Sequence, residues 1–297
     1  MKWTPLFEES ILTKHQICLA NSQNFYEGLS RAFRDPDLTL IEADLSHIHY
    51  LFPWQLTLAA CLKVWCQGKA ALNFHWNESK NYQLEIASYA EKMGLFEGLD
   101  SSPSPSSLLQ KPGFNADNYF ELHAIDRDNG TELLSQLQLL LSRFPDSADP
   151  IAPLLFDLSQ NIVHHSGAQE GSGWGYVQAQ TTAAKLRIAF CDFGVGYYKT
   201  YQRQNLLNGR SPKEILETSL ESGPGDKASV CSQKHGLSKI CEFLKSHKGW
   251  MEIYSDGLKC RYVSGKKSTT VLGYRTKGSL VILEIPLKKA SASSEMF

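Results

Sequence analysis

The sequence has no long hydrophobic run and no closely spaced pair of cysteines, and neither sign of charge is in excess. No stretch approaches the ~18 uninterrupted apolar residues that indicate a membrane-spanning helix, so we expect no membrane span. Residues 1–5, MKWTP, lack the apolar core of a signal peptide. The seven cysteines are scattered without a CxxC spacing. That pattern is typical of reduced thiols in a cytoplasmic protein rather than of a disulfide framework.

The charge balance narrows the choice of partners. Lys and Arg number 30 and Asp and Glu number 31, for a net charge of −1. Proteins dedicated to nucleic-acid binding usually show a basic excess, so nucleic acid is not indicated as a partner. The hydrophobic share of 42% and the charged share of 21% are ordinary for a globular protein. A length of 297 residues allows two domains, since domains commonly have about 100–200 residues.

The first third alternates strand-like and helix-like segments, which predicts a mixed or parallel sheet covered by helices. Pro53 suits the first turn of a helix, and Gly68 and Gly94 suit helix ends. We predict a strand at 38–44, a helix at 53–67, a strand at 70–76 and a helix at 81–93.

A change of composition follows at residues 100–113, where Ser, Pro and Gly dominate. This segment is either a boundary between domains or a long surface loop within one domain, and the boundary is favoured because long structureless loops are uncommon in compact domains. We therefore predict an α/β protein with a first domain at 1–105, a linker at 106–119, a second domain at 120–288 and a flexible tail at 289–297.

The last two thirds contain the remaining predicted elements. Ser211 and Glu214 have the spacing of a capping box at the start of a helix, and Lys266–Lys267 is interpreted as the tip of a hairpin. We predict strands at 120–125, 186–191, 250–254, 258–263, 269–274 and 279–285, and helices at 131–144, 153–165, 211–221 and 236–247.

A first candidate binding segment is DFGVG at 192–196, directly after the strand LRIAFC. Glycine adopts positive φ and has no Cβ, so Gly194 and Gly196 allow a ligand to approach the backbone closely. The carboxylate of Asp192 can accept a hydrogen bond from an exocyclic amine such as that of adenine. An ordinary turn is the alternative interpretation of this motif.

A second candidate is the helix at 153–165. Asp157, Asn161 and His165 are spaced at i, i+4 and i+8 and therefore lie on one side of that helix. A carboxylate and a carboxamide one turn apart can hold a hydrated Mg²⁺. The alternative is a solvated polar face without a ligand.

A glycine-rich stretch and one predicted strand separate the two segments. In combination, the two segments resemble the GHKL superfamily of ATPases. That superfamily includes gyrase-type ATPases and histidine kinases. LLFDLSQNIVHHS resembles its N box and IAFCDFGVG its first glycine box. KHGLSKICEFLKSHKG at 234–249 resembles the helix after the second glycine box, and TKGSLVILEIPL at 276–287 resembles the closing strand. The resemblance covers about residues 120–287, with the anti-sigma serine kinases as the most similar subfamily, and implies a two-layer α/β sandwich.

The resemblance implies ATP and Mg²⁺ as cofactors. Asn161 would coordinate Mg²⁺, Asp192 would bind the adenine amine and Ser279 would lie beside the base. Gly236 would begin the helix that faces the phosphates. The residues implied in cofactor binding are Asn161, His165, Asp192, Gly194, Gly196, Lys234, Gly236, Leu237 and Ser279.

Two departures from the family pattern weaken the case for hydrolysis. The family's catalytic Glu is Asp157 here, and a general base must reach its water within about 2.6–3.2 Å. The second glycine box reads SQKHGL at 232–237 and lacks two glycines. Lys234 or His235 would compensate with charge, or would simply face solvent.

The first third is similar to a STAS-type domain, through the strand ending in Asp-Leu-Ser and the helix ending in Met-Gly-Leu-Phe. No phosphorylation site is assigned. We expect a regulatory protein that binds ATP and Mg²⁺ and whose lid, at about 197–235, controls a protein partner. A homodimer is compatible with this expectation. The alternatives are an active serine kinase or slow ATPase, and a nucleotide-free scaffold.

Overall fold

The computed structural model describes most of the chain as a mixed α/β structure. The Ser- and Pro-rich segment at 100–113 and the tail at 289–297 lie outside the described residues, so the predicted linker and tail stay predictions. No helix among the described residues is long and apolar enough to cross a membrane. The described residues are 13–77, 79–96, 118–125, 130–142, 144–165, 175–182, 184–192, 194–221 and 235–287.

The first unit is a three-stranded parallel sheet with helices between its strands, which confirms the parallel arrangement expected from the alternation of elements. Its first strand and first helix were not predicted. Pro53 starts the second helix, as expected, and Gly68 follows its end with a φ of +70°. The elements are β1 (Thr13–Cys18), α1 (Ser22–Ala32), β2 (Leu38–Asp44), α2 (Pro53–Cys66), β3 (Ala71–His75) and α3 (Asn81–Lys92).

The second unit is a seven-stranded sheet in which every pair of neighbours is antiparallel. Its strands are β4 (Tyr119–Ile125), β5 (Gly175–Thr182), β6 (Lys185–Asp192), β7 (Trp250–Ser255), β8 (Leu258–Val263), β9 (Lys266–Val271) and β10 (Ser279–Pro286). Its helices are α4 (Gly130–Leu141), α5 (Pro145–His165), α6 (Tyr197–Arg203), α7 (Pro212–Ser219) and α8 (His235–His247). The strand order is β4-β5-β6-β10-β7-β8-β9.

Both faces of the large sheet are covered. One hydrophobic core lies between the sheet and the helices α4, α5 and α8. The other lies on the opposite face, where α2 of the first unit packs against β5 and β6. The side chains of β6 alternate accordingly, with Ile188 and Phe190 in the first core and Ala189 and Cys191 in the second. The first unit therefore shares a core with the large sheet.

Polar contacts join the two units within this second core. Ser22 Oγ donates to Tyr254 Oη at 2.8 Å, and the Tyr26 ring stacks on the Tyr254 ring. The thiol of Cys61 lies 3.7 Å from the carbonyl oxygen of Cys191. Cys61 and Cys66 are buried, and the six cysteines of the described residues are free thiols.

Strand β5 corrects the prediction that one strand separates Asn161 from Asp192. The segment GYVQAQTT carries buried Gln178 and Gln180, which hid the strand pattern. Their side-chain N–H groups bind other segments, since Gln178 Nε2 donates to the Phe120 carbonyl oxygen at 3.1 Å and Gln180 Nε2 donates to Tyr50 Oη. Burial of these polar side chains depends on tertiary partners.

Several boundaries in the second unit also differ from the prediction, among them β9, predicted at 269–274, and α4, predicted at 131–144. The hairpin between β8 and β9 turns at Ser264–Gly265, both with positive φ, so Lys266–Lys267 begins β9 instead of forming the tip. Helix α5 starts at Pro145 rather than Pro153 and contains Pro150 and Pro153. Each internal proline lacks the N–H that would donate to the carbonyl four residues earlier.

The capping box of Ser211 and Glu214 is confirmed, with mutual hydrogen bonds.

Candidate functional site

A cavity opens at the end of β6, between the large sheet, α5, α8 and the α6–α7 segment. Its walls are mainly apolar, and a few polar groups point to it from separate elements. The lining residues are Leu158, Asn161, Ile162, Phe190, Asp192, Gly196, Tyr197, Thr200, Tyr201, Gln204, Leu206, Thr218, Ser219, Glu221, Leu237, Ser279 and Val281.

Asp192 supplies the buried carboxylate of this cavity. It is the last residue of β6, and only 7% of its surface is exposed. Its Oδ1 atom accepts the Gly194 N–H at 2.6 Å, and Ser279 also hydrogen-bonds it through side chain and backbone. Ser279 in turn lies 3.3 Å from Ser255, Oγ to Oγ. The carboxylate is thus fixed in one orientation by the ends of neighbouring strands.

Burial raises the pKa of the Asp192 carboxyl to about 6, and the charge of Asp256 raises it as well. The hydrogen bonds from Gly194 and Ser279 favour the charged form and oppose this shift. Above pH 6 the group is therefore mainly an acceptor, and below pH 6 it carries a proton.

At two positions around Asp192, neighbouring atoms lie too close to the backbone for any residue with a Cβ. Gly278 has a φ of +66°, and a Cβ on it would lie 2.0 Å from the Asp192 carbonyl oxygen. Gly196 has a φ of +84°, and a Cβ there would lie 2.6 Å from Asp256 Oδ1. Side chains rarely adopt this conformation, so both positions favour glycine independently of any ligand.

Asp256 fixes the start of α6 against the sheet. Its Oδ2 atom accepts the Tyr198 N–H at 2.8 Å, and the neighbouring Ser255 Oγ accepts the Tyr197 N–H at 3.0 Å. Burial raises the pKa of Asp256 as well. The wall that α6 forms is consequently held by side chains at the end of β7.

Helix α5 presents Leu158, Asn161 and Ile162 to the cavity, as the helical spacing predicts. Asp157, one turn before Asn161, does not line the cavity. Its Oδ2 atom lies 3.7 Å from Lys239 Nζ on α8, and its side chain is 39% exposed. The structure therefore brings Asn161, but not Asp157, to the same cavity as Asp192.

The other predicted site residues are distributed as follows. Leu237 and Ser279 line the cavity, and Gly194 contributes the N–H that binds Asp192. Gly236 belongs to the first turn of α8, directly before Leu237. His165 is the last residue of α5, but its side chain lies outside the described part of the structure, as does the whole of Lys234.

The sequence predicted α7 and a lid at about 197–235, of which 222–234 lie outside the described residues, but α6 and the cavity wall that it forms were not predicted. Tyr197, Thr200, Tyr201 and Gln204 all reach the cavity. Their spacing of i, i+3, i+4 and i+7 is the signal that would have found this helix face. It was missed because the helix has only seven residues and its cavity side is polar and aromatic rather than aliphatic.

The cavity combines apolar side chains with the buried Asp192 carboxylate and the Asn161 carboxamide. The apolar walls suit a ring, and Asp192 at the end of β6 suits a donor on that ring. Asn161 offers a carboxamide oxygen, which is a ligand type that Mg²⁺ accepts. No protein-family model matches this sequence, and no curated protein matches it either.

Proposed function

We propose that this protein binds ATP with Mg²⁺ and acts as a regulatory protein whose nucleotide state controls a protein partner. The proposal rests on one observation, that residues distant from one another in the sequence line the same cavity. Asn161, Asp192, Gly196, Leu237 and Ser279 come from four separate segments of the chain, and all of them line one cavity. The pattern of the GHKL superfamily singles out the same residues.

The chemistry of the cavity favours adenine over guanine. An ionised Asp192 accepts a hydrogen bond from the exocyclic amine of adenine, whereas guanine carries a carbonyl oxygen at the same ring position. Two acceptors facing each other in a buried site are repulsive. The first turn of α8 lies beside the cavity at Leu237, and free N–H groups at a helix start attract phosphate.

The proposal includes the family assignment. The large sheet with α4, α5 and α8 on one face is compatible with a GHKL two-layer sandwich, and the parallel first unit is compatible with a STAS-like domain. A regulatory role is preferred to an enzymatic one because Asp157 pairs with Lys239 and does not line the cavity. The free thiols of the described residues agree with a cytoplasmic location.

The experiment is a calorimetric titration of the full chain with ATP and with GTP, each with and without Mg²⁺. We expect ATP to bind and GTP to bind at least tenfold more weakly. Asp192→Ala should weaken ATP binding about 5- to 150-fold, because the buried amine loses its acceptor at a cost of about 1–3 kcal/mol.

Asp44→Ala is the matched control. Asp44 is also a buried carboxylate at the end of a strand, but it accepts hydrogen bonds from Gln16 and Ser46 in the first unit. Its removal should leave ATP affinity unchanged. Equal ATP affinity in wild type and Asp192→Ala, in a folded variant, would contradict the nucleotide site, and binding of no nucleotide by the wild type would favour the scaffold.

A further inference from the structure

A second groove, which shares no lining residue with the cavity, has a basic rim. Arg34 after α1, Lys213 on α7 and Arg275 before β10 line it, and all three side chains are exposed. We call these three residues and the floor between them the basic groove. The floor is formed by Gly257, Leu258, Leu272, Gly273 and Tyr274.

Three cations and one carboxylate line the basic groove, so cations are in excess there. Neither Arg34 nor Arg275 forms an ion pair within the described residues. Lys213 has only a long contact with Glu217, at 4.0 Å. Asp256 is the one acidic residue of the lining, and its carboxylate already accepts the Tyr198 N–H and the Ser255 hydroxyl.

A pair of lysines extends this charge next to the groove. The Nζ atoms of Lys69 and Lys277 lie 5.5 Å and 4.7 Å from the centre of the same Phe33 ring. Burial and the charge of Lys69 lower the pKa of Lys277. Phe33 directly precedes Arg34, and Lys277 lies two residues after Arg275, so the two lysines are near the groove along the chain. On a chain of net charge −1, the excess of cations in the lining of the groove is a local concentration of positive charge.

An apolar element borders the same groove. Val271, the last residue of β9, lines it with 74% of its surface exposed, and Pro212 lines it from α7. Arginine guanidinium groups bind carboxylates through paired hydrogen bonds, and an exposed aliphatic side chain beside them favours an apolar contact. Nucleic acid would use the cations but would gain little from Val271.

We propose that the basic groove binds an acidic segment of a partner protein. Its carboxylates pair with Arg34 and Arg275, and an apolar residue of the segment packs against Val271. Lys69 and Lys277 attract the segment through charge. This surface is separate from the cavity, so the proposal stands whether or not the cavity binds a nucleotide.

The test measures binding of two labelled probes to the full chain by fluorescence anisotropy. One probe is a short polyglutamate and the other is a peptide of alternating Glu and Leu. We expect both to bind, the second more tightly, with affinity that falls as salt rises. Arg34→Gln combined with Arg275→Gln should weaken both about tenfold or more. Val271→Ser should remove only the advantage of the Leu-containing probe.

The matched control is Arg203→Gln combined with Lys266→Gln, which removes two exposed charges elsewhere. This variant should retain most of the affinity. Equal losses in the two double variants would overturn the proposal, because net charge alone would then explain the binding. Absence of binding by both probes would overturn it too, as would arginine-dependent binding of pyrophosphate or single-stranded DNA without binding of the acidic peptides.

Discussion

The two ends of the candidate cavity are built differently. At the β6 end, Asp192 is buried and held by Gly194 and Ser279, and Gly278 is pressed against its backbone. At the α5 end, Asn161 is only partly buried, and Asp157 one turn away forms a half-exposed ion pair with Lys239. The polar groups at the first end are thus held in fixed positions, whereas Asp157, which the GHKL pattern assigns to catalysis, is paired with Lys239.

This difference separates ligand recognition from chemistry. A buried, oriented acceptor supplies affinity and specificity, because a ligand without the matching donor leaves it unpaired. A general base must instead lie within hydrogen-bond reach of its water. We therefore expect the β6 end to dominate binding and the α5 end to contribute a smaller, metal-dependent part. The predictions below test the two ends in order of expected effect.

The largest effect is expected at Gly278. Gly278→Ala places a Cβ 2.0 Å from the Asp192 carbonyl oxygen at a φ of +66°, and both atoms belong to rigid strand ends. We expect a loss of about 3–5 kcal/mol in the free energy of unfolding, from strain and steric overlap together. Urea unfolding at neutral pH measures it.

Gly209 provides the control for backbone strain. It has a φ of +75°, but a Cβ there would meet no atom within 4 Å. Gly209→Ala should therefore cost only the conformational penalty, about 1–2 kcal/mol. Similar losses in the free energy of unfolding of the two variants would show that the steric contact with Asp192 adds nothing to the cost of Gly278→Ala.

The next effect is the pH dependence that Asp192 adds to stability. Its pKa is raised to about 6 in the folded protein by burial, above its value in the unfolded chain. Protonation of Asp192 therefore stabilises the folded state below about pH 4. This contribution, up to about 3 kcal/mol, is lost as the pH rises through 6. Asp192→Asn keeps the shape without the charge, so its stability relative to wild type should rise over this interval.

Unfolding curves of wild type and Asp192→Asn between pH 4 and 8 measure this difference. Asp44→Asn serves as the comparison, because Asp44 is also a buried strand-end carboxylate. A constant difference between wild type and Asp192→Asn across the range would contradict a raised pKa for Asp192. Asp256, whose pKa burial also raises, should add a change in the same direction in both proteins.

The sequence predicted the β6 end of the site because its signals are local. A buried strand run followed by DFGVG placed Asp192 at a strand end, and helical spacing placed Asn161 beside Leu158 and Ile162. These inferences need only the period of a strand or helix. Assignment of Asp157 to the same site rested on spacing alone, and spacing does not fix which side of the stripe faces a cavity.

The missed features depend on contacts between distant segments. Gln178 and Gln180 are buried in β5, where their side-chain N–H groups donate to the Phe120 carbonyl oxygen and to Tyr50 Oη. The docking of α2 on the back of the sheet also leaves no periodic signal, because α2 is buried on nearly all sides. Such a helix is hydrophobic all round, and its partner cannot be read from its own sequence.

A smaller effect is expected at Asn161. Asn161→Ala should weaken ATP binding about tenfold with Mg²⁺ and less than threefold with a chelator, because the carboxamide acts through the metal. Titration under both conditions measures the difference. Gln160→Ala, at the adjacent position on α5 and outside the cavity lining, is the control and should change neither value. Equal losses for Asn161→Ala under the two conditions would exclude a metal role.

The smallest effect is expected at Asp157. Its carboxylate is shorter than the family's Glu, lies 3.7 Å from Lys239 Nζ and does not line the cavity. A partly exposed ion pair contributes about 0–1 kcal/mol, so Lys239→Ala should leave stability nearly unchanged. It should also leave ATP turnover at background.

Asp157→Glu sharpens the same comparison, since it restores the length of the family's side chain. We expect turnover to stay within about twofold of wild type, because one methylene does not turn the carboxylate from α8 toward the cavity. Release of phosphate from ATP, followed with Lys239→Ala combined with Asp157→Glu, measures this directly. A large rise in phosphate release by that double variant would show that a longer side chain and a carboxylate without its ion pair are sufficient for turnover at the α5 end. Robust turnover by wild type that Asp157→Asn abolishes would instead establish an enzyme and make the two ends of the cavity equally functional.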